Sequence, residues 1–454
     1  MDDGAAAEDT GVRATVRRFV ALERDVVVLS VAMFAFSLGF QMTSRYVPRY
    51  MSVLGAGAVA IGLFGTAGNF LAAVYPYPGG AISDRIGSRL ALTLFGLAST
   101  LGFVVWLFAA RFGTVTLPAV GTTVDVVGRE VVVGWLDPAV LPVGIFLGLL
   151  FAQAWKSLGL GATFAVVKQA VEPDRLATGF ASTETVRRTA FLLGPLLAAG
   201  VLAMYAFEPG FRIVLAIAAG VGLLGTVAQH VLYDASEDTV GSSFAGVASL
   251  LDDLRSMPAP LRPLLVADTV VRFANGMVYV FFVIVVTEFL QVGVALPVVG
   301  RLSPDAYFGV LLALEMVVAL LVMVPVARLT RRVGLKPVVA IGFVVYAVFP
   351  VLLITAPPDA AVLAVLFAFS GLRFAGLPAH KALIVGPAEA GAGGRVTGTY
   401  YLVRNVVVIP SAAVGGAIYA VSPTAAFTAA SAVGLLGVAL FAVFGREFEP
   451  AVAD

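Results

Sequence analysis

The chain has 454 residues, of which 60% are hydrophobic and only 13% charged, and its formal net charge is +1. A water-soluble domain carries about twice that share of charge, so the composition excludes one and makes lipid the solvent for most of the chain. Cysteine is absent and only His230 and His380 occur, which rules out disulfides, thiolate chemistry and a multi-histidine metal site. No basic tract interleaved with aromatics points to nucleic acid.

Residues 1–25 mix acids with Arg13, Arg17, Arg18 and Arg24 and end without a cleavage site, so they read as a retained N-terminal segment rather than a signal. Twelve apolar runs follow, near 26–45, 58–78, 90–110, 139–167, 176–204, 211–232, 263–290, 304–327, 337–356, 360–386, 396–421 and 424–444. Each approaches the roughly 20 residues that a helix needs to cross a hydrocarbon core about 30 Å thick. Gly and Pro interrupt several of them, which neighbouring helices in a membrane tolerate.

Two stretches break the series. Within the insertion 111–137, residues Thr123 to Val133 alternate loosely around Gly128, predicting a small external hairpin. Within 233–262, Phe244, Val247, Leu250, Leu251, Leu254 and Met257 share one helical face opposite Asp252, Asp253 and Arg255, predicting an amphipathic helix in the membrane interface. Lys and Arg concentrate in the segments on the N-terminal side, which places both termini in the cytoplasm. The expected organisation is a six-helix bundle over 26–232, a linker over 233–262, a second six-helix bundle over 263–445 and a tail over 446–454.

The second run is followed by Gly80-Ala81-Ile82-Ser83-Asp84-Arg85-Ile86-Gly87-Ser88-Arg89, which reads as a tight basic turn. Gly62, Pro78, Gly87 and Arg89 recur at one constant offset as Gly309, Pro325, Gly334 and Lys336, so the chain is two copies of one membrane-embedded half. The second copy has Ala327 for Gly80 and Arg331 for Asp84. The Gly-x-x-x-Asp-Arg-x-Gly-x-Arg pattern resembles the loop signature of the major facilitator superfamily, and the resemblance extends over nearly the whole chain. It implies an all-α integral membrane protein of twelve transmembrane helices in two pseudo-symmetric six-helix bundles. It further implies that Gly80, Asp84, Arg85, Gly87 and Arg89 latch the halves together when the protein is open to the outside. Two weaker matches are Lys156-Ser157-Leu158-Gly159, similar to an element tied to proton coupling, and Gly194-Pro195, similar to an element of antiporters.

Polar residues inside a membrane are expensive and mark pathways. The third, ninth and twelfth runs carry no charge, whereas the first, second, fourth, seventh, eighth and tenth hold Gln41, Asn69, Lys156, Arg272, Asn275, Glu315 and Arg373. The family resemblance puts the first, fourth, seventh and tenth helices around a central cavity, which agrees with that distribution. Glu315 is the one acid among these cations, which makes it the candidate proton carrier with Arg373 as its partner. Arg45 reads as snorkelling from a helix end, and Glu184 with Arg187 and Arg188, like Arg404 with Asn405, as local surface groupings.

The expected activity is secondary transport of a small organic solute, proton-coupled, by efflux or antiport, in a monomer of the plasma membrane that needs no cofactor or metal. Uptake of an organic anion or zwitterion by symport, and a sensor that has lost transport, are the alternatives. An enzyme is not expected, because no Ser-His pairing, metal cluster or phosphate cradle is present.

Overall fold

The computed structural model describes residues 24–118, 120–126, 129–136, 138–159, 162, 163, 166, 176–234, 257–259, 261–297, 300–374, 376–385 and 393–447. The interfacial helix expected between 233 and 262 lies for the most part outside the described residues, as does the N-terminal segment.

The first half begins with α1 (Arg24–Thr43), α2 (Val47–Val53), α3 (Ala58–Val74), α4 (Pro76–Ile86) and α5 (Ser88–Leu107). Strands β1 (Thr114–Leu117), β2 (Val120–Val126), β3 (Arg129–Leu136) and β4 (Ala139–Pro142) precede α6 (Val143–Ala152), α7 (Leu176–Met204) and α8 (Phe207–Leu232). The second half contains α9 (Leu261–Val278), β5 (Val294–Leu296), β6 (Gly300–Leu302), α10 (Pro304–Val333), α11 (Leu335–Ile354) and α12 (Ala360–Gly371). It ends with α13 (Leu377–Val385), α14 (Gly393–Val408), α15 (Ser411–Val421) and α16 (Pro423–Phe444). Among the described residues ten helices or helical runs are long and apolar enough to cross a membrane, and α3 with α4, bent by 42°, makes an eleventh. Val143–Leu158, a shorter apolar helix, falls where the fourth span was expected.

In the first half α1 packs on α7 and α8, and α5 on α6 and α8. In the second, α9 and α11 pack on α16, and α10 on α12. The halves meet along α7 with α10 and α3 with α15. Both seams close around repeat-related glycines. Gly62 faces Ala412 and Gly416, and Gly309 faces Pro195 and Ala199, so close that a Cβ at either would meet backbone. Without a side chain there, helices of opposite halves approach closely, as membrane packing favours.

The insertion forms two antiparallel ladders: β2 with β3, turning between Val126 and Arg129, and β1 with β4. The second ladder takes residues 139–142, which the sequence reading had given to the fourth span; the helix starts only at Val143, after Pro142 in extended conformation. The basic signature also differs from expectation. It is not a turn but the last part of α4, which runs to Ile86, and Gly87 alone reverses the chain with φ 82° and ψ 155°. Its counterpart Gly334 does the same between α10 and α11 with φ 86° and ψ 175°. This region of φ and ψ is open essentially to glycine alone, which explains why both copies retain it.

Candidate functional site

Between the halves lies a cavity of about 830 Å³, walled by Phe36, Phe40 and Gln41 of α1, Phe64 and Asn69 of α3, Phe191 of α7, and Trp155, Lys156 and Tyr279. After α6 a π turn over Ala154–Leu158 admits an extra residue per turn and re-aims the side chains. It carries Trp155 onto Phe36, stacked at 4.6 Å, and directs Lys156 into the cavity with its ammonium 4.2 Å from the Phe40 ring centre. The charged groups among the described lining residues are Arg45, Lys156, Arg187 and Lys381, with no carboxylate.

Glu315 sits on α10 beside that cavity. The helix α12 ends at Gly371, and a single 3-10 turn, Leu372–Phe374, presents Arg373 to it. Arg373 Nη2 lies 2.5 Å from Glu315 Oε1, and Ser370 Oγ donates to the same oxygen at 2.6 Å. Both charged side chains are buried, so each needs the other's compensation. From the opposite half, Arg45 reaches within 3.9 Å of Glu315 Oε2 while lying over the Tyr279 ring. Arg45 therefore points inward to the carboxylate instead of snorkelling: Tyr279 offers its guanidinium a ring face, and Glu315 a charge, at the same depth.

A second buried carboxylate, Asp268 of α9, organises the second half. Arg272 Nε lies 3.3 Å from Oδ1; Arg404 Nη1 lies 3.1 Å, and His380 Nε2 3.4 Å, from Oδ2. The Tyr400 hydroxyl donates to Oδ2 at 3.1 Å, and Arg272 Nη1 donates to the Tyr346 hydroxyl at 2.8 Å. The sequence reading had paired Arg404 only with its neighbour Asn405. The Asn405 contact exists, at 3.1 Å from Nη2, but the long-range partner is Asp268. Asn275, Asn69, Arg272, Arg404 and Asn405 line a side cavity of about 230 Å³ that shares Asn69, Gly65, Tyr279 and Val280 with the main one.

The two ends of the cavity differ. At the hairpin end Arg49 of α2 crosses between the halves, with Nη1 2.6 Å from Glu288 and Nε 3.2 Å from Asp305 at the start of α10. The Tyr46 hydroxyl donates to the Asp305 carbonyl at 3.1 Å, and its ring meets Phe308 edge-on. At the signature end Thr163, Arg187 and Lys381 line the cavity, and among the described residues neither Asp84 nor Arg85 has a hydrogen-bond or ion-pair partner. Arg89 instead caps α8, donating to the His230 carbonyl at 2.8 Å. A Cβ on Gly80 would meet nothing; the glycine that must be small is Gly79, which lies against the Leu158 backbone. Gly194 packs on Gln41 and Met42, and Pro195 on Gly309, so the Gly-Pro element occupies the seam between halves.

Sequence reasoning missed Arg49, Glu288, Asp305, His380 and Tyr400. Glu288 and Asp305 flank one short connection, and Arg49 lies just past α1, so charges bordering spans on one side were the available signal. Of the expected site residues, Glu315 and Arg373 come together. Gln41 and Lys156 reach the main cavity, Arg272 and Asn275 the side cavity, and Asn69 both.

The same fold recurs in solved transporters. The nucleoside transporter NupG superposes with a TM-score of 0.68 at 13% identity, covering 93% of this chain and 98% of that one. The chain carries the major facilitator superfamily fold. A POT family transporter in complex with 5-aminolevulinic acid also gives 0.68, at 14% identity, over 93% of this chain and 96% of that chain. In sequence, an uncharacterized MFS-type transporter of Methanocaldococcus jannaschii is 19% identical over 421 residues, 91% of this chain and 93% of that protein. No protein-family model matches the chain.

Proposed function

We propose that the protein is a secondary active transporter that moves a small organic solute by alternating access and couples it to protons through Glu315. The observation that carries this reading is a buried carboxylate held by Arg373 of its own half and approached by Arg45 of the other, beside a cavity whose hairpin end is closed by ion pairs between the halves. A proton and a guanidinium compete for a carboxylate. When the halves rock, Arg45 moves relative to Glu315, so the proton's advantage changes with the direction the cavity faces. The descriptions of the relatives as transporters, of nucleosides in one case and of peptides in another, support transport as the activity.

With both termini cytoplasmic in the plasma membrane, the hairpin end is external and this conformation faces inward. Antiport is the favoured direction, because the Gly194-Pro195 element sits on the seam that must shift. The protein acts as a monomer and needs no cofactor. The test is purified protein in liposomes with an imposed pH gradient and a panel of anionic, neutral and cationic solutes. Gradient-driven movement of a solute is expected, and Glu315→Gln should abolish it while exchange at equal pH persists. Uphill movement by the Gln variant would refute the coupling role, and no movement of any solute under either gradient polarity would favour a sensor.

A further inference from the structure

Among the described residues the charges around the two cavities do not balance. Asp268 is one carboxylate against the guanidiniums of Arg272 and Arg404, and Glu315 is one against Arg373 and Arg45. Lys156 points into the main cavity with no carboxylate or hydrogen-bond partner among the described residues. Uncompensated positive charge in a membrane interior is costly, and an anion that enters relieves it. The excess is also directed. Arg272 is held over the Tyr346 ring and Arg404 over the Tyr401 ring, so both guanidinium planes are fixed before anything binds. Both border the side cavity, where Asn275 and Asn69 add amide groups, while the adjoining main cavity is walled by aromatic rings. A planar guanidinium fork matches a carboxylate or phosphate better than any other group.

Building on the transport reading, we infer that the solute is an amphipathic organic anion. Its acidic group lies in the side cavity against Arg272 and Arg404, and its apolar or aromatic body lies in the main cavity toward Trp155 and Lys156. The side cavity, at about 230 Å³, holds a carboxylate or phosphate but not a drug-sized body, whereas the main one, at about 830 Å³, holds that body. The head site also bridges the two halves, since Asn69 and Gly65 come from the first and Arg272, Asn275 and Arg404 from the second. Occupancy by the anion therefore bears directly on the seam that moves.

The test uses phenylbutyrate, phenylbutyramide and phenylbutylamine, which share one body and differ in charge. Binding to the purified full chain is read by calorimetry and by quenching of tryptophan fluorescence, to which the cavity residues Trp106 and Trp155 contribute. The carboxylate should bind about tenfold or more tighter than the amide, the scale of a charge-assisted contact, and the amine weakest. Arg404→Gln should erase that preference. Because it also strips a partner from buried Asp268 and endangers folding, Asn275→Leu is the companion variant; it replaces an amide in the wall of the side cavity by an apolar group and leaves every Asp268 partner in place. It too should bring the carboxylate down to the affinity of the amide. Failure of the carboxylate to bind, equal or tighter binding of the amide or amine, or an undiminished preference in Asn275→Leu would overturn the inference. Gradient-driven movement of a cation or neutral solute alongside such a result leaves transport intact and removes only the anion. Selective carboxylate binding without movement of any solute does the reverse.

Discussion

Both halves contribute to each end of the central cavity, yet among the described residues only the hairpin end has ion pairs between the halves. At the hairpin end a single guanidinium, Arg49, ties α2 of the first half to Glu288 and Asp305 of the second, with Tyr46 and Gly309 packed beneath it. At the signature end Asp84 and Arg85 make no hydrogen bond or ion pair with the described residues, and Arg89 engages its own half through α8. On the transport reading proposed above, the signature end and the Arg49 brace act as alternatives. A carboxylate without a partner in one conformation is available as a contact in the other, and an ion pair formed across the seam is one that the other conformation must break.

The largest expected disturbance of this asymmetry comes from Arg49→Ala. It removes both crossing ion pairs and leaves two partly buried acids side by side, at a cost of about 1–3 kcal/mol to this conformation. Opening at the hairpin end should become roughly tenfold more populated or better. The chain has no cysteine, so a single Ser44→Cys reporter in the cavity wall can be labelled by an impermeant thiol reagent without background. Labelling from the hairpin side unchanged by Arg49→Ala would mean that the bridge carries no closing energy.

Gly87→Ala should be next in size. The backbone at φ 82° and ψ 155° resists any Cβ, at a cost of about 2 kcal/mol, so the thermal midpoint in detergent should fall by a few degrees. Gly80→Ala, whose Cβ meets nothing, should be neutral or slightly stabilising. Equal effects at the two positions would refute the assignment of the turn to Gly87 alone.

Asp84→Asn sharpens the comparison further. Because this carboxylate has no partner among the described residues, its loss should leave the present conformation intact and weaken only the one in which the signature end closes. A Thr163→Cys reporter should then be labelled faster from the signature side by a few-fold, on the scale of about 1 kcal/mol. Slower labelling would place the Asp84 contact in the wrong conformation.

The smallest effect concerns the second copy. Arg331 replaces the acid there, but Glu447 of the tail accepts from the backbone N–H groups of Leu335 and Lys336, both at 2.8 Å, at the start of α11. A carboxylate at a helix N-terminus satisfies donors that the helix leaves unpaired. Glu447→Gln should speed amide exchange in the first turn of α11 without changing reporter labelling at either end. A change in labelling would make the tail part of the gate.

Composition, the length of the apolar runs and the constant offset between the two signatures were enough to read a two-copy, all-helical membrane protein. The bilayer imposes span length, and the repeat imposes its period, locally along the chain. The lone midplane acid was also legible, because a carboxyl in an apolar run is conspicuous wherever it points. What tertiary structure decided was pairing. Arg404 looked like a neighbour of Asn405 until the fold carried Asp268 from 136 residues away in sequence to within 3.1 Å. Arg45 looked like a snorkelling end residue until Tyr279 and Glu315 of the other half came within reach of it. The π turn that aims Lys156, the strand that shortens the fourth span and the brace at Arg49 were equally hidden. Each depends on which helix lies opposite, and burial makes a charge choose its partner by proximity in space, which a hydropathy pattern does not encode.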